Sequence, residues 1–196
     1  AHGRRRHRAG RRGLPERARM SGFVAGLLHP LALPAHLLAL LALGLLIGQQ
    51  AARTRHVSLA AFVAGVAVGL TAIAFGVGQT SAADVLLATA FASGASAAIA
   101  RPLPTLACTM LAVIAGVALA LDSPPEAISI AVATATLVGT GLGASLALAI
   151  IVTGVNYLTR VREWNWARLG GRILSSWLAA SAILVLAVRF VRGQMF

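Results

Sequence analysis

The sequence predicts an all-α integral membrane protein, a bundle of about six transmembrane helices. Three observations carry that prediction. Of 196 residues, 58% are hydrophobic and 11% charged, where a soluble domain carries about 25% charged residues. Mean hydropathy is +0.84. The apolar stretches are long enough for spans of about 20 residues, separated by short polar or proline-containing connections that leave no room for a soluble domain within residues 20–196.

Residues 1–19 stand apart as an Arg-rich disordered tail or upstream extension. Eight arginines against Glu16 give this segment a net charge of +7 out of the total of +12. The chain has no lysine, and an arginine-only, alanine-rich composition fits a GC-rich coding sequence in which Met20-Ser21 reads as a natural start. A basic arm suits nucleic acid or anionic lipid. This one lacks aromatics for base stacking and any amphipathic pattern, so nucleic acid is not an expected partner. It also lacks the apolar core and small-residue cleavage site of a secretory signal. Residues 20–196 form a single six-helix transmembrane domain.

The first span is expected from about Leu31 to Gly48, with His29, Pro30, Pro34 and His36 at its mouth. After a polar loop with Arg53 and Arg55, a second span runs from about Val57 to Val77. Its Gly65 and Gly69 form a small-xxx-small face suited to close packing between helices of the chain. Asp84 is placed to cap the third span, about Val85 to Ala100, or to sit in its first turn. That span is rich in Ala, Ser and Gly and belongs inside the bundle.

Arg101-Pro102-Leu103-Pro104 ends the third span sharply. A fourth span covers Thr105 to Leu121, and Asp122-Ser123-Pro124-Pro125-Glu126 makes a turn. The fifth span, about Ala127 to Val152, carries Gly139, Gly141 and Gly143 as a candidate kink or close-contact point. Asn156 to Arg172 reads as the one sizeable internal loop, with Trp164 and Trp166 beside four arginines as a membrane interface selects. The last span is about Ile173 to Val191.

Charge asymmetry gives a topology. The first, third and fifth connections carry arginines, whereas the second and fourth carry only Asp84, Asp122 and Glu126. The positive-inside rule puts the odd connections in the cytoplasm and both termini outside, in the periplasm of a bacterial inner membrane. Arg189, Arg192 and the tail argue the other way, but the internal loops decide.

The chemistry-bearing side chains of the apolar body are His29 and His36. Seven residues is two helical turns, or about 10.5 Å along a regular axis. That is too far for two imidazoles to share an ion lying about 2 Å from each nitrogen. Co-ligation needs a helix that starts late or breaks, and Pro34 provides the means by disfavouring a helical Leu33. Imidazole suits Ni²⁺, Co²⁺ or Zn²⁺, while the lack of neighbouring carboxylates disfavours Ca²⁺ and Mg²⁺. The alternative is that both are interfacial histidines bonded to loop carbonyls or water. Cys108, Met110, Ser93, Ser96, Asp122 and Glu126 add only weak ligands. There is no GxSxG, P-loop or CxxC sequence and no paired carboxylate in the spans, so the chain does not read as an enzyme and no resident cofactor is implied.

Gly26-Leu27-Leu28-His29-Pro30-Leu31, followed by His36-Leu37-Leu38, resembles the opening signature of the HupE/UreJ family, small six-span proteins associated with nickel or cobalt uptake for hydrogenase and urease. Gly44 and Ala100-Arg101-Pro102-Leu103-Pro104 extend the resemblance. It implies Ni²⁺ or Co²⁺ as cargo, His29 and His36 as metal ligands, and a hydrogenase or urease maturation context. Leu33 and Ala35 stand where the family pattern has glycine and aspartate, and Ala115 to Leu121 lacks the family's second histidine cluster. Two expectations follow. One is a divergent protein facilitating Ni²⁺ or Co²⁺ passage. The other is a non-transporting membrane scaffold or accessory protein that keeps the fold without metal binding.

Overall fold

A computed structural model describes residues 9–76, 81–123, 129–160 and 165–193. Among the described residues there are seven helices and no strand: α1 (Ala9–Ala32), α2 (Pro34–Gly48), α3 (Ala52–Ala74), α4 (Ala82–Ile99), α5 (Thr105–Leu121), α6 (Ile130–Arg160) and α7 (Asn165–Gly193). Helices α3, α4, α6 and α7 are long and apolar enough to cross a membrane. The bent pair α1–α2 makes a fifth span when taken together. With 17 residues, α5 is about 25 Å long, slightly under the hydrocarbon thickness of about 30 Å. The protein is an all-α membrane bundle.

Helix α2 is the axis of the bundle and touches all six other helices. Leu40, Leu43, Leu46 and Ile47 are fully enclosed, packing with Phe62 of α3, Leu86 of α4, Leu119 of α5 and Leu148 of α6. The outward faces of α6 and α7 carry Leu146, Ile150, Trp177 and Leu184, a surface suited to lipid. α4 is the most enclosed of the four long spans, as its small residues predict. Bulky side chains would hold its neighbours away.

Glycines set two close crossings. On α3, a Cβ at Gly65 or Gly69 would strike the backbone of Val113 or Val117 of α5, and Gly116 of α5 answers against Phe62. The small-xxx-small face therefore serves packing within the chain. On α6, Gly139 and Gly143 meet the backbone of Phe23 and Leu27, while Gly22 and Gly26 of α1 meet Val132 and Thr136. The glycine cluster of α6 is a close-contact point, and the helix runs through it unbroken.

Three sequence expectations need correction. The fifth helix does not end near Val152, and the described residues of Asn156–Arg172 are helical rather than loop. Helix α6 continues to Arg160 and α7 begins at Asn165. Hydropathy falls where the chain leaves the hydrocarbon, but a helix of Asn, Tyr, Leu, Thr and Arg remains stable in the interface, since arginine and leucine are good helix formers. Trp164 lies outside the described residues. The first span likewise starts earlier than Leu31, because helical backbone runs through His29 and Pro30 to Ala32. Helix α1 includes Ala9–Arg19, and residues 1–8 lie outside the described part.

Polar contacts tie each end of the bundle. At one end Thr54 and Thr105 share a hydrogen bond of 2.8 Å, Leu103 N–H donates to Gln50 Oε1 at 3.1 Å, Arg55 donates to Asn156 Oδ1, and Arg172 Nε donates to Ala98 O at 3.0 Å. At the other end, Arg189 pairs with Asp84 at 2.8 Å. Asp84 sits in the first turn of α4, one of its two expected places, while the N-cap position is Ser81.

Candidate functional site

Pro34 opens α2, and the residue before it, Leu33, has φ −93° and ψ 121°. Extended backbone is what a following proline imposes, since its ring clashes with a helical predecessor. One non-helical residue turns the chain by 69° between α1 and α2. His29, in the last turn of α1, and His36, in the first turn of α2, are thereby folded onto one another. Their ring centres are 5.6 Å apart with planes at 73°, an edge-to-face pair. The regular-helix spacing that would keep them apart does not apply.

His36 is completely buried, and its Nε2 lies 3.0 Å from Oδ2 of Asp122, which follows α5 and is about one-quarter exposed. A carboxylate only accepts hydrogen bonds, so the proton of this bond belongs to Nε2 of His36. In the neutral imidazole the other ring nitrogen, Nδ1, carries the free electron pair. It has no hydrogen-bond partner, and neither has Nε2 of His29, though both atoms are buried. Buried polar atoms are rarely left unpaired, and each such case calls for an explanation.

Two unpartnered imidazole nitrogens on adjoining rings form a half-built nitrogen-donor site. Imidazoles held about 2 Å from one ion through their nitrogens have ring centres separated by up to roughly 6 Å, and the observed 5.6 Å falls within that range. Among the described residues no three His, Cys, Asp or Glu side chains stand in position to hold an ion. Asp122 contacts His36 at the hydrogen-bonding nitrogen, an arrangement that fixes a tautomer and ring orientation.

The sequence points to His29 and His36 and offers Asp122 only as a weak outer ligand; the pairing of Asp122 with His36 comes from the fold. Glu126 lies outside the described residues. Cys108 is buried in α5, and Met110 is exposed on the same helix. Ser93 is buried with its hydroxyl unpartnered, and Ser96 is half-buried on α4. Below the histidines, α2 presents only apolar residues from Ala39 to Gly48, all of them buried except half-buried Leu41. A cavity of about 740 Å³ lies at the opposite end of the bundle, beside Gln50 and Arg101.

The bundle and its histidine pair define a multi-pass membrane protein with a polar cluster at the mouth of a broken span. The HupE / UreJ protein family model matches residues 10–185, most of the chain, and the protein belongs to that family. No curated protein and no solved structure matches it.

Proposed function

We propose that the protein facilitates passage of Ni²⁺ or Co²⁺ across the bacterial inner membrane, with His29 and His36 as the first protein ligands of the ion and Asp122 as the group that orients His36. The observation supporting this reading is the pair of unpartnered nitrogens, His36 Nδ1 and His29 Nε2, on rings 5.6 Å apart. Borderline cations favour imidazole. A site with two protein nitrogens and solvent for the rest binds weakly, which suits an ion that must leave again. Arginines gathered at the far end of the bundle favour a cytoplasmic location for that end, with the histidines and both termini on the periplasmic side. Hydrogenase or urease maturation is the context this cargo suggests.

A second reading is favoured by a specific observation. From Leu37 to Gly48 the axis helix is apolar, with Leu40, Leu43 and Leu46 fully buried, so this stretch of α2 offers an ion no side-chain ligand. A protein that binds no ion and serves as a membrane scaffold would have the same core. Transport through this bundle requires α2 to move relative to its neighbours.

The deciding experiment is uptake of radiolabelled nickel and cobalt in cells without a high-affinity system of their own, with variants at equal membrane levels. Uptake above the empty-vector control that falls in both His29→Ala and His36→Ala supports passage. Uptake equal to the control, with folded protein in the membrane, removes the transport reading and leaves the scaffold.

A further inference from the structure

The cavity at the arginine end is a slot between α2, α6 and α7. Helices α6 and α7 barely touch one another while both pack on α2, so the slot opens sideways between them. Its walls are Leu41, Leu45, Ile151, Val155 and Leu174. Where α7 passes the mouth, Gly170 and Gly171 leave it unfilled. A Cβ at Gly170 would meet nothing within 4 Å, and one at Gly171 would meet only Gln49 Nε2, at 3.9 Å.

Among the described residues the mouth is electropositive. Arg101 lines it and is exposed. Arg172, next to Gly171, is held at the rim by its Nε bond to Ala98 O, and its other N–H groups remain further donors. Ala51 also lines the mouth and is the N-cap of α3, where no side chain caps the helix. The first N–H groups of α3 and the positive end of its dipole therefore lie there. Among the described lining residues the one formal charge is that of Arg101.

These features select an occupant. A divalent cation would be repelled by Arg101, Arg172 and the helix dipole. A small soluble anion would leave the apolar slot unused. A molecule with a phosphate at one end and a hydrocarbon chain at the other satisfies both halves, and basic pockets between membrane helices recognise anionic lipid headgroups. The volume of about 740 Å³ is within the range of about 300–1,000 Å³ for cavities that bury most of a bound small molecule.

We propose that this slot binds an anionic phospholipid, its acyl chain between α6 and α7 along Leu45, Ile151 and Leu174, and its phosphate against Arg101 and the start of α3. The site is independent of the histidines at the other end of the bundle.

The test is native mass spectrometry of the full chain released from detergent after exposure to phosphatidylglycerol or phosphatidylcholine with identical acyl chains. Circular dichroism confirms helix content for each variant. The expected result is a phosphatidylglycerol preference of about five-fold, abolished in Arg101→Gln and kept in Arg101→Lys. Gly171→Leu, which places a side chain in open space, should lower retention of both lipids. Excess inorganic phosphate should leave the bound lipid in place. Equal retention of the two lipids by the unaltered protein overturns the proposal, as does an unchanged preference in a folded Arg101→Gln. Displacement by inorganic phosphate would identify a free-anion site instead, and a dimer lost in Gly171→Leu would identify a second copy of the chain; either result also overturns it.

Discussion

Asp122, at the end of α5, holds the ring of His36, at the start of α2, across 86 residues of sequence with a bond of 3.0 Å. The contact does two things. It fastens the shortest span to the axis of the bundle, and it leaves the opposite nitrogen of His36 with a free electron pair beside His29.

Removing this carboxylate separates the two effects. Asp122→Asn keeps an acceptor for Nε2–H and should leave thermal stability close to that of the parent. Loss of the charge weakens the outer-shell bond that orients the ring, so Co²⁺ binding, followed by its visible absorption, should weaken by about 10–100-fold, the usual effect of losing an outer-shell partner. Asp122→Ala should in addition destabilise the fold by about 1–3 kcal/mol, because a buried N–H is left without an acceptor. Metal affinity unchanged in both variants would sink the orienting role.

Pro34 is expected to set the distance between the histidines. Pro34→Ala restores an N–H able to donate to Pro30 O and removes the restriction on Leu33, allowing α1 and α2 to straighten. The spacing of His29 and His36 should then move toward the roughly 10.5 Å of a regular helix, and metal binding should fall without loss of helix content. Spin labels on exposed Leu28 and on Leu38, with distances read by pulsed electron resonance, check the straightening. An unaltered distance distribution would show that packing of α1 on α6 sets the bend.

That packing has its own test at Gly143. A side chain there drives into the backbone of Leu27, which cannot rotate out of the way as a side chain would. Gly143→Leu should cost about 1–3 kcal/mol, as overpacking generally does. It should also displace His29, two residues beyond Leu27. Gly154→Leu, on the same helix with nothing within 4 Å of its Cβ, is the matched control and should be tolerated. The comparison is the detergent or heat midpoint of the two variants.

The Arg189–Asp84 pair is a case where geometry overstates energy. Both side chains are about half exposed, so screening and the ordering of a long arginine offset most of the attraction. Arg189→Ala should change stability by about 0–1 kcal/mol, less still in high salt. A larger loss in thermal unfolding would show that the pair anchors α7 to α4.

Much of the fold was legible because a membrane span must be both apolar and helical, and composition reports both requirements. Thr105–Leu121 is bounded on each side by prolines or a turn sequence and is recovered to the residue. The ends of α6 are not, because hydropathy marks where hydrocarbon stops and the helix continues beyond that point to Arg160. At the site, the local device was readable: Pro34 predicts the extended Leu33. The partner of His36 was not, since Asp122 sits in a turn composition and periodicity carries no information about which loop meets which helix. Charge asymmetry held a usable hint. It assigns the Asp122 connection and the histidines to the same side of the membrane, which narrows the acids near them to Asp84, Asp122 and Glu126.

The enclosure of α2 by all six other helices bears on the order in which the protein is made. A chain synthesised from its N-terminus exposes α2 before any neighbour from α3 onward exists. It must rest in lipid first and in protein later. A helix apolar on every side is at home in both, and from Leu37 to Gly48 the sequence contains nothing else. His36 is the exception at its tip. Its acid partner emerges 86 residues later, so the imidazole waits near the headgroups while those residues are made, and the arrival of α5 supplies the partner.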